Sequence, residues 1–253
     1  MASIPAESDL LCETCGYVIQ GLPLEGNCPE CGVPIERSLP ANRDGSAWQR
    51  RPSIGTWIST NYSMLRRPVQ VFEQLRVDGL HRWSLLLINV FVAATLLSLP
   101  WTGVLIGDPA RAARTAPAWI RSLIFARSLS AQVLAVAAAL FVLTAIEAAG
   151  IRFFGTRRGW RITRNVAWQV CTHASVGWIV AAVLTLLALI VWLNISYFGL
   201  ASWLERKGTW GTVIFAAVPA SGFLAGLLVF ESLVYLGMRR CRFANAPASG
   251  SPR

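Results

Sequence analysis

The chain has 253 residues, of which 54% are apolar and only 14% charged, and its mean hydropathy is +0.49. Charges this sparse, clumped between long apolar runs, exclude a disordered chain and an ordinary soluble domain and suit a protein whose main solvent is lipid. The net charge of +10 is uneven, because residues 1–36 hold six acids and no Lys or Arg, so basicity alone does not point to nucleic acid.

The first residues carry neither a basic stretch nor an apolar run of signal-peptide type, so the N-terminus does not read as a secretory signal and its cysteines are expected in a reducing compartment. "CETCGYVIQGLPLEGNCPECG" then sets Cys12 and Cys15 against Cys28 and Cys31, two C-x-x-C pairs twelve residues apart. This spacing predicts a zinc ribbon over residues 1–37, with each pair forming a tight knuckle and a short hairpin joining them into tetrahedral, all-cysteine coordination of Zn2+. Gly16 and Gly32 follow each pair where a left-handed residue turns the backbone under the sulfurs, and "GYVIQG" reads as a short strand. Four thiolates saturate the ion, so the metal is structural, supplies the folding energy of a module with almost no core, and leaves no position for a catalytic water. An acidic ribbon lacks the charge to hold phosphates, which disfavours nucleic acid and favours a cytoplasmic protein partner, with a partnerless folded cap as the alternative.

The pattern C-x-x-C-G-Y…G-L…G-x-C-P-E-C-G followed by several spans resembles zinc-ribbon membrane proteins of planctomycete-type bacteria, a family without an assigned activity. The resemblance implies that Cys12, Cys15, Cys28 and Cys31 are the ligands, that Gly16, Tyr17 and Gly32 shape the knuckles, and that the source is bacterial.

Residues 38–65, rich in Pro, Gly, Ser and Arg, read as a flexible linker. Residues 66–82 suit an amphipathic juxtamembrane helix that starts at Pro68 and presents Val69, Phe72, Leu75 and Leu80 on one face. Such a helix lies either in the headgroup region or against the bundle. Pro68, Phe72 and Leu75 ahead of a span also resemble the corresponding segment of the YIP family of polytopic proteins, which has five spans where four are counted here.

Four apolar stretches, at about 83–107, 129–151, 170–193 and 211–238, are long enough to cross a hydrocarbon layer of about 30 Å. The expected fold is therefore an all-α polytopic membrane protein of four transmembrane helices over residues 83–238, with the small four-cysteine zinc ribbon before it and a basic disordered tail, 239–253, behind. Residues 115–127 read as a separate surface helix. Trp83, Trp101, Trp192, Trp203 and Trp210 lie near span ends, as interfacial anchors do. Counting basic residues beside the spans gives twelve on the side of Arg66, Arg157 and Arg239. The side of Arg111, Arg114, Arg121, Arg127, Arg206 and Lys207 has six. This bias predicts an inner-membrane protein with both termini in the cytoplasm.

Asn89, Glu147, His173 and Glu231 are polar side chains within the spans, all expected in the cytoplasmic half. They either reach the interface, some beside Arg152 or Arg239, or converge on a shared site in which Glu147, His173 and Glu231 bind a cation or relay protons. Gly222-x-x-x-Gly226 permits close helix packing, within the chain or in a homo-oligomer, and Pro219 is placed to kink that helix. Cys171 and Cys241 are isolated, and Cys241 beside Arg239 and Arg240 suits palmitoylation only in a eukaryote. No nucleotide fingerprint and no hydrolase or metalloprotease motif is present. The leading expectation is a membrane-anchored scaffold whose ribbon docks a protein partner. The alternative is a small transporter built on Glu147, His173 and Glu231.

Overall fold

The computed structural model describes residue 6 and residues 9–77, 81–105, 117–195 and 209–246, with backbone only at 101–105, 193, 195, 209–216 and 219. Eight helices are present among them. They are α1 Ala47–Arg50, α2 Ile54–Arg66, α3 Pro68–Gln74, α4 Arg82–Leu105, α5 Ala118–Arg157, α6 Arg164–Ala174, α7 Val176–Ile195 and α8 Thr209–Arg240. The fold is all-α, with four stretches long and apolar enough to cross a membrane: Arg82–Pro100, Ala118–Arg157, Arg164–Trp192 and Ala220–Arg240. Trp203 and Leu80, the side chains of Trp101, Trp210 and Pro219, and the charges at Arg111, Arg114, Arg206 and Lys207 lie outside what is described.

The chain forms two compact units. The first collects residues 1–86, 144–176 and 232–253, which means the cysteine module, α1–α3, the start of α4, the C-terminal part of α5, α6 and the end of α8. The second comprises 87–143 and 177–231.

In the second unit, α7 and α8 meet backbone to backbone. A Cβ on Gly226 would lie 2.1 Å from Ala181 Cα, one on Gly222 would lie 2.5 Å from the Leu184 carbonyl oxygen, and one on Gly177 would lie 2.6 Å from Phe230 Cα. Only glycine permits such an approach. Trp178 then stacks on Phe230 at 4.3 Å and 24°, fully buried. The Gly222 and Gly226 motif is thus used within the chain.

The first unit departs from two expectations and selects one of two alternatives for α3. Residues 38–65 are folded: a 3-10 turn covers Pro40–Asn42, and α1 and α2 each begin with a reciprocal capping box, Ser46 with Gln49 and Ser53 with Thr56. Part of the Ser and Pro content that suggested a linker consists of two N-caps, Ser46 and Ser53, and a first-turn residue, Pro40. Residues 241–245 are also ordered, with Cys241, Phe243, Ala244 and Asn245 buried, so this part of the tail belongs to the core. Helix α3 starts at Pro68 as expected, but Val71, Phe72 and Leu75 are buried, and Phe72 and Val170 close on Gly237 of α8. Of the two positions open to that helix, the packed one is realised.

Two helix boundaries also differ from the sequence reading. Residues 118–127 continue without a break into the span, because no Gly or Pro interrupts 118–149, so α5 runs for 40 residues. It ends in a full Schellman motif, with Trp160 N–H donating to the Gly155 carbonyl and Gly159 N–H to that of Thr156, around Gly159 at φ +73°. The third apolar stretch is interrupted at Ser175, which separates α6 from α7.

Candidate metal centre

The cysteine module is built from one local unit used twice at an offset of 16 residues. Cys12 N–H donates to the Tyr17 carbonyl and Gly16 N–H to the Cys12 carbonyl. Cys28 N–H and Gly32 N–H do the same to Val33 and Cys28. Ile19 N–H then reaches the Leu10 carbonyl, as Ile35 N–H reaches that of Gly26. Both turns need a left-handed residue, and Gly16 and Gly32 have φ of +85° and +71°. The strand expected at 16–21 is reduced to one isolated bridge, Val18 with Leu11, matched in the second knuckle by Asn27 with Pro34. Ile19 and Ile35 are the buried apolar filling beside the cysteines, with Leu10 and Leu22 partly buried against them.

The four sulfurs lie within 4.8 Å of one another, with Cys12 to Cys31 at 3.5 Å and Cys15 to Cys28 at 3.6 Å. A tetrahedral ion with metal–sulfur bonds of about 2.3 Å would separate its ligands by about 3.8 Å, so the quartet fits one metal ion without rebuilding. Among the described residues it is the only set of three or more His, Cys, Asp or Glu side chains placed to hold one ion. Burial pushes the Cys15 thiol well up. Burial also acts upward on Cys28, but the N–H groups of Cys31 and Glu30 and the neighbouring thiols outweigh it and bring Cys28 down to about 7. A metal would displace the protons that the thiols still carry.

The module is bolted to the rest of its unit through residues that the sequence did not single out. Glu13, between the first two ligands, makes a bidentate ion pair with Arg43, Nη2 to Oε2 at 2.6 Å and Nε to Oε1 at 3.1 Å. Arg43 is 5% exposed, and its remaining guanidinium nitrogen donates to the Leu75 carbonyl at 2.7 Å. Burial opposes its charge, yet Glu13 more than compensates and raises its pKa. Asn245 is saturated: its amide donates to the carbonyls of Leu11 and Ser38, both at 2.7 Å, and accepts from Leu11 N–H and Arg161. Arg161 also donates to the carbonyls of Ala6 and Asp9, and Arg242 donates to that of Thr14. Beside the first knuckle runs a groove of about 970 Å³, partly lined by Glu13, Thr14, Arg43, Glu73, Arg240 and Arg242. Much of its charge is internally paired, since Arg240 meets Glu73 at 2.9 Å.

The other candidate residues divide between the units. Asn89 and Glu231 fall in the second, Glu147 and His173 in the first. His173 is buried, and both ring nitrogens are engaged at 2.9 Å, Nδ1 with the Gln169 carbonyl and Nε2 with Ser46 Oγ. A carbonyl only accepts, so Nδ1 carries the hydrogen and Nε2 takes the Ser46 hydroxyl proton as acceptor in the neutral ring. That hydroxyl also caps α1 by accepting from Gln49 N–H. His173 thus ties α6 to α1, and its nitrogens are spent on that tie. Cys241 and Cys171 are fully buried, and burial raises the Cys241 thiol to about 11. Trp192 is buried too, unlike a lipid-facing anchor, whereas Trp83 is 41% exposed and packs on Trp168 at 4.8 Å.

No known protein family, curated protein or solved structure matches this chain.

Proposed function

We propose that this is a membrane-anchored zinc-ribbon protein whose metal module docks a cytoplasmic protein partner. The observation that carries the reading is the quartet of cysteines around one ion-sized space, joined to a unit that includes the ends of membrane-length helices. Zinc is the metal favoured by four thiolates in tetrahedral geometry, and a saturated site acts by shaping the module rather than by chemistry. Tyr17, Val18 and Leu24 are 41%, 45% and 54% exposed, a large apolar share for a module this small. They provide the contact surface. The module has no Lys or Arg before Arg37, which favours a protein over nucleic acid.

Placement in the inner membrane with both termini cytoplasmic rests on the arginine bias. It is supported by the hydrogen bonds between Leu11 and Asn245, which join the two ends of the chain in one unit. The transporter reading loses its histidine, since His173 serves α1 and α6. Homo-oligomerisation draws no support from Gly222 and Gly226, which are consumed by α7–α8 packing.

Crosslinking in intact cells, followed by purification and mass spectrometry, tests the docking reading. The expected result is a protein captured by the native chain and by Glu147→Gln, and lost from Cys28→Ser and from Tyr17→Ser/Leu24→Ser. The last variant must retain its metal and its membrane level. An unchanged partner profile in both ribbon variants would overturn the proposal.

A further inference from the structure

Helix α2 is built inside out. Its buried side contains Thr60 and Asn61 beside Met64, and the Thr60 hydroxyl oxygen accepts from Trp48 N–H at 3.0 Å. Its outer side presents Ile54, Ile58, Tyr62 and Leu65, which are 81%, 56%, 57% and 49% exposed. These positions repeat at i, i+4, i+8 and i+11, one continuous stripe along the helix. A helix facing water would carry the opposite arrangement. The capping box at Ser53 and Thr56 fixes the start of α2 locally, so the stripe is held in place, not a product of fraying.

The charges that this stretch of chain carries are of one sign. Between Asp44 and Glu73 the chain has no acidic residue, while Arg50 and Arg51 precede α2 and Arg66 and Arg67 end it, all four exposed. Arg66 donates to the Tyr62 hydroxyl at 2.6 Å and lies 6.0 Å from the ring centroid. An apolar stripe with a tyrosine and arginines at both ends has the composition of a helix lying in a bilayer interface. There the stripe is buried among upper acyl chains and guanidinium groups meet lipid phosphates. The neighbouring α3 shows the alternative, since its Val71 and Phe72 are already buried in protein.

We propose that α2 is an in-plane membrane helix whose Ile54–Ile58–Tyr62–Leu65 stripe inserts into the surface of an anionic bilayer, with Arg50, Arg51, Arg66 and Arg67 on its phosphates. The helix then holds the first unit, and through it the cysteine module, at the lipid surface by a contact separate from the spans. This inference is independent of any protein partner and of the metal.

The test is depth measurement by spin labelling of the full chain in nanodiscs containing phosphatidylglycerol. Ile58→Cys and Tyr62→Cys are compared with Leu24→Cys on the cysteine module, and the native chain supplies the background from its own cysteines. Metal content and elution volume must match the native protein. The expected ratio of oxygen to nickel-chelate accessibility is several-fold higher at positions 58 and 62 than at 24. It should drop when phosphatidylcholine replaces phosphatidylglycerol. Labels at 58 and 62 as open to the nickel chelate as position 24 would overturn the proposal. So would labels shielded from both reagents, which would mean a protein covers the stripe. An equal ratio in both lipids would overturn the role given to the arginines.

Discussion

The two knuckles of the cysteine module share a backbone and differ in what surrounds them. In the first, Glu13 and Thr14 stand between the ligands and are held by Arg43, Asn245 and Arg242. In the second the same positions are Pro29 and Glu30, both exposed. A Cβ on Gly16 would meet the Phe243 ring at 2.8 Å, while one on Gly32 would meet nothing within 4 Å. Metal geometry dictates the glycines and the hydrogen bonds of both turns, and the residues between the ligands decide which half is tied to the rest of its unit.

The comparison breaks most severely when the metal goes. Structural zinc supplies about 10–16 kcal/mol in small peptides, far more than two buried isoleucines supply. Chelation or Cys28→Ser should therefore unfold both knuckles together and expose residues 9–37 to protease, with the membrane helices still protected. Unequal loss would mean that the first knuckle is held by its anchors alone. Next in size is the anchor itself. Arg43→Ala leaves Glu13 mostly buried and unpaired and should destabilise the docked module by about 3–5 kcal/mol, read as a lower denaturant midpoint for its proteolysis. Glu30→Ala on the other knuckle should leave that midpoint unchanged.

A finer contrast comes from the paired glycines. Gly32→Ala should cost only the left-handed backbone penalty, about 1–2 kcal/mol. Gly16→Ala should cost a further 1–3 kcal/mol, roughly, because the methyl collides with Phe243. Equal effects on metal-release midpoints would remove Phe243 from the anchor. The smallest signal is chemical: Cys241 and Cys171 should resist iodoacetamide at neutral pH in the folded protein while the metal-stripped quartet is modified, as intact-mass measurement would show.

Sequence reasoning reached the parts of this protein governed by spacing and by long apolar runs. The C-x-x-C pairs come together as a quartet that could hold one ion, and the four spans follow from length and hydropathy. It failed where a polar group has one specific distant partner. Nothing in "RFANAP" marks Asn245 as the residue that joins Leu11, Ser38 and Arg161. Arg161 and Arg242, counted only as topology charges, turn out to hold backbone carbonyls of the N-terminal module. His173 attracted a proton-relay reading because its partner Ser46 lies 127 residues away in the assumed linker. Helix α2 was missed because Pro52, Ser53 and Gly55 resemble linker composition, although the 54-58-62-65 stripe was present to be counted. The 16-residue repeat of Leu10–Ile19 in Gly26–Ile35 was legible too, through Cys, Gly and Ile at matching positions.

The metal is the claim on which the docking account stands, and X-ray absorption on the purified full-length protein tests it directly. The expected result is one zinc per chain with four sulfur neighbours at about 2.3 Å and no lighter ligand. A shell containing oxygen or nitrogen, or a metal-free protein with disulfides among Cys12, Cys15, Cys28 and Cys31, would contradict the account.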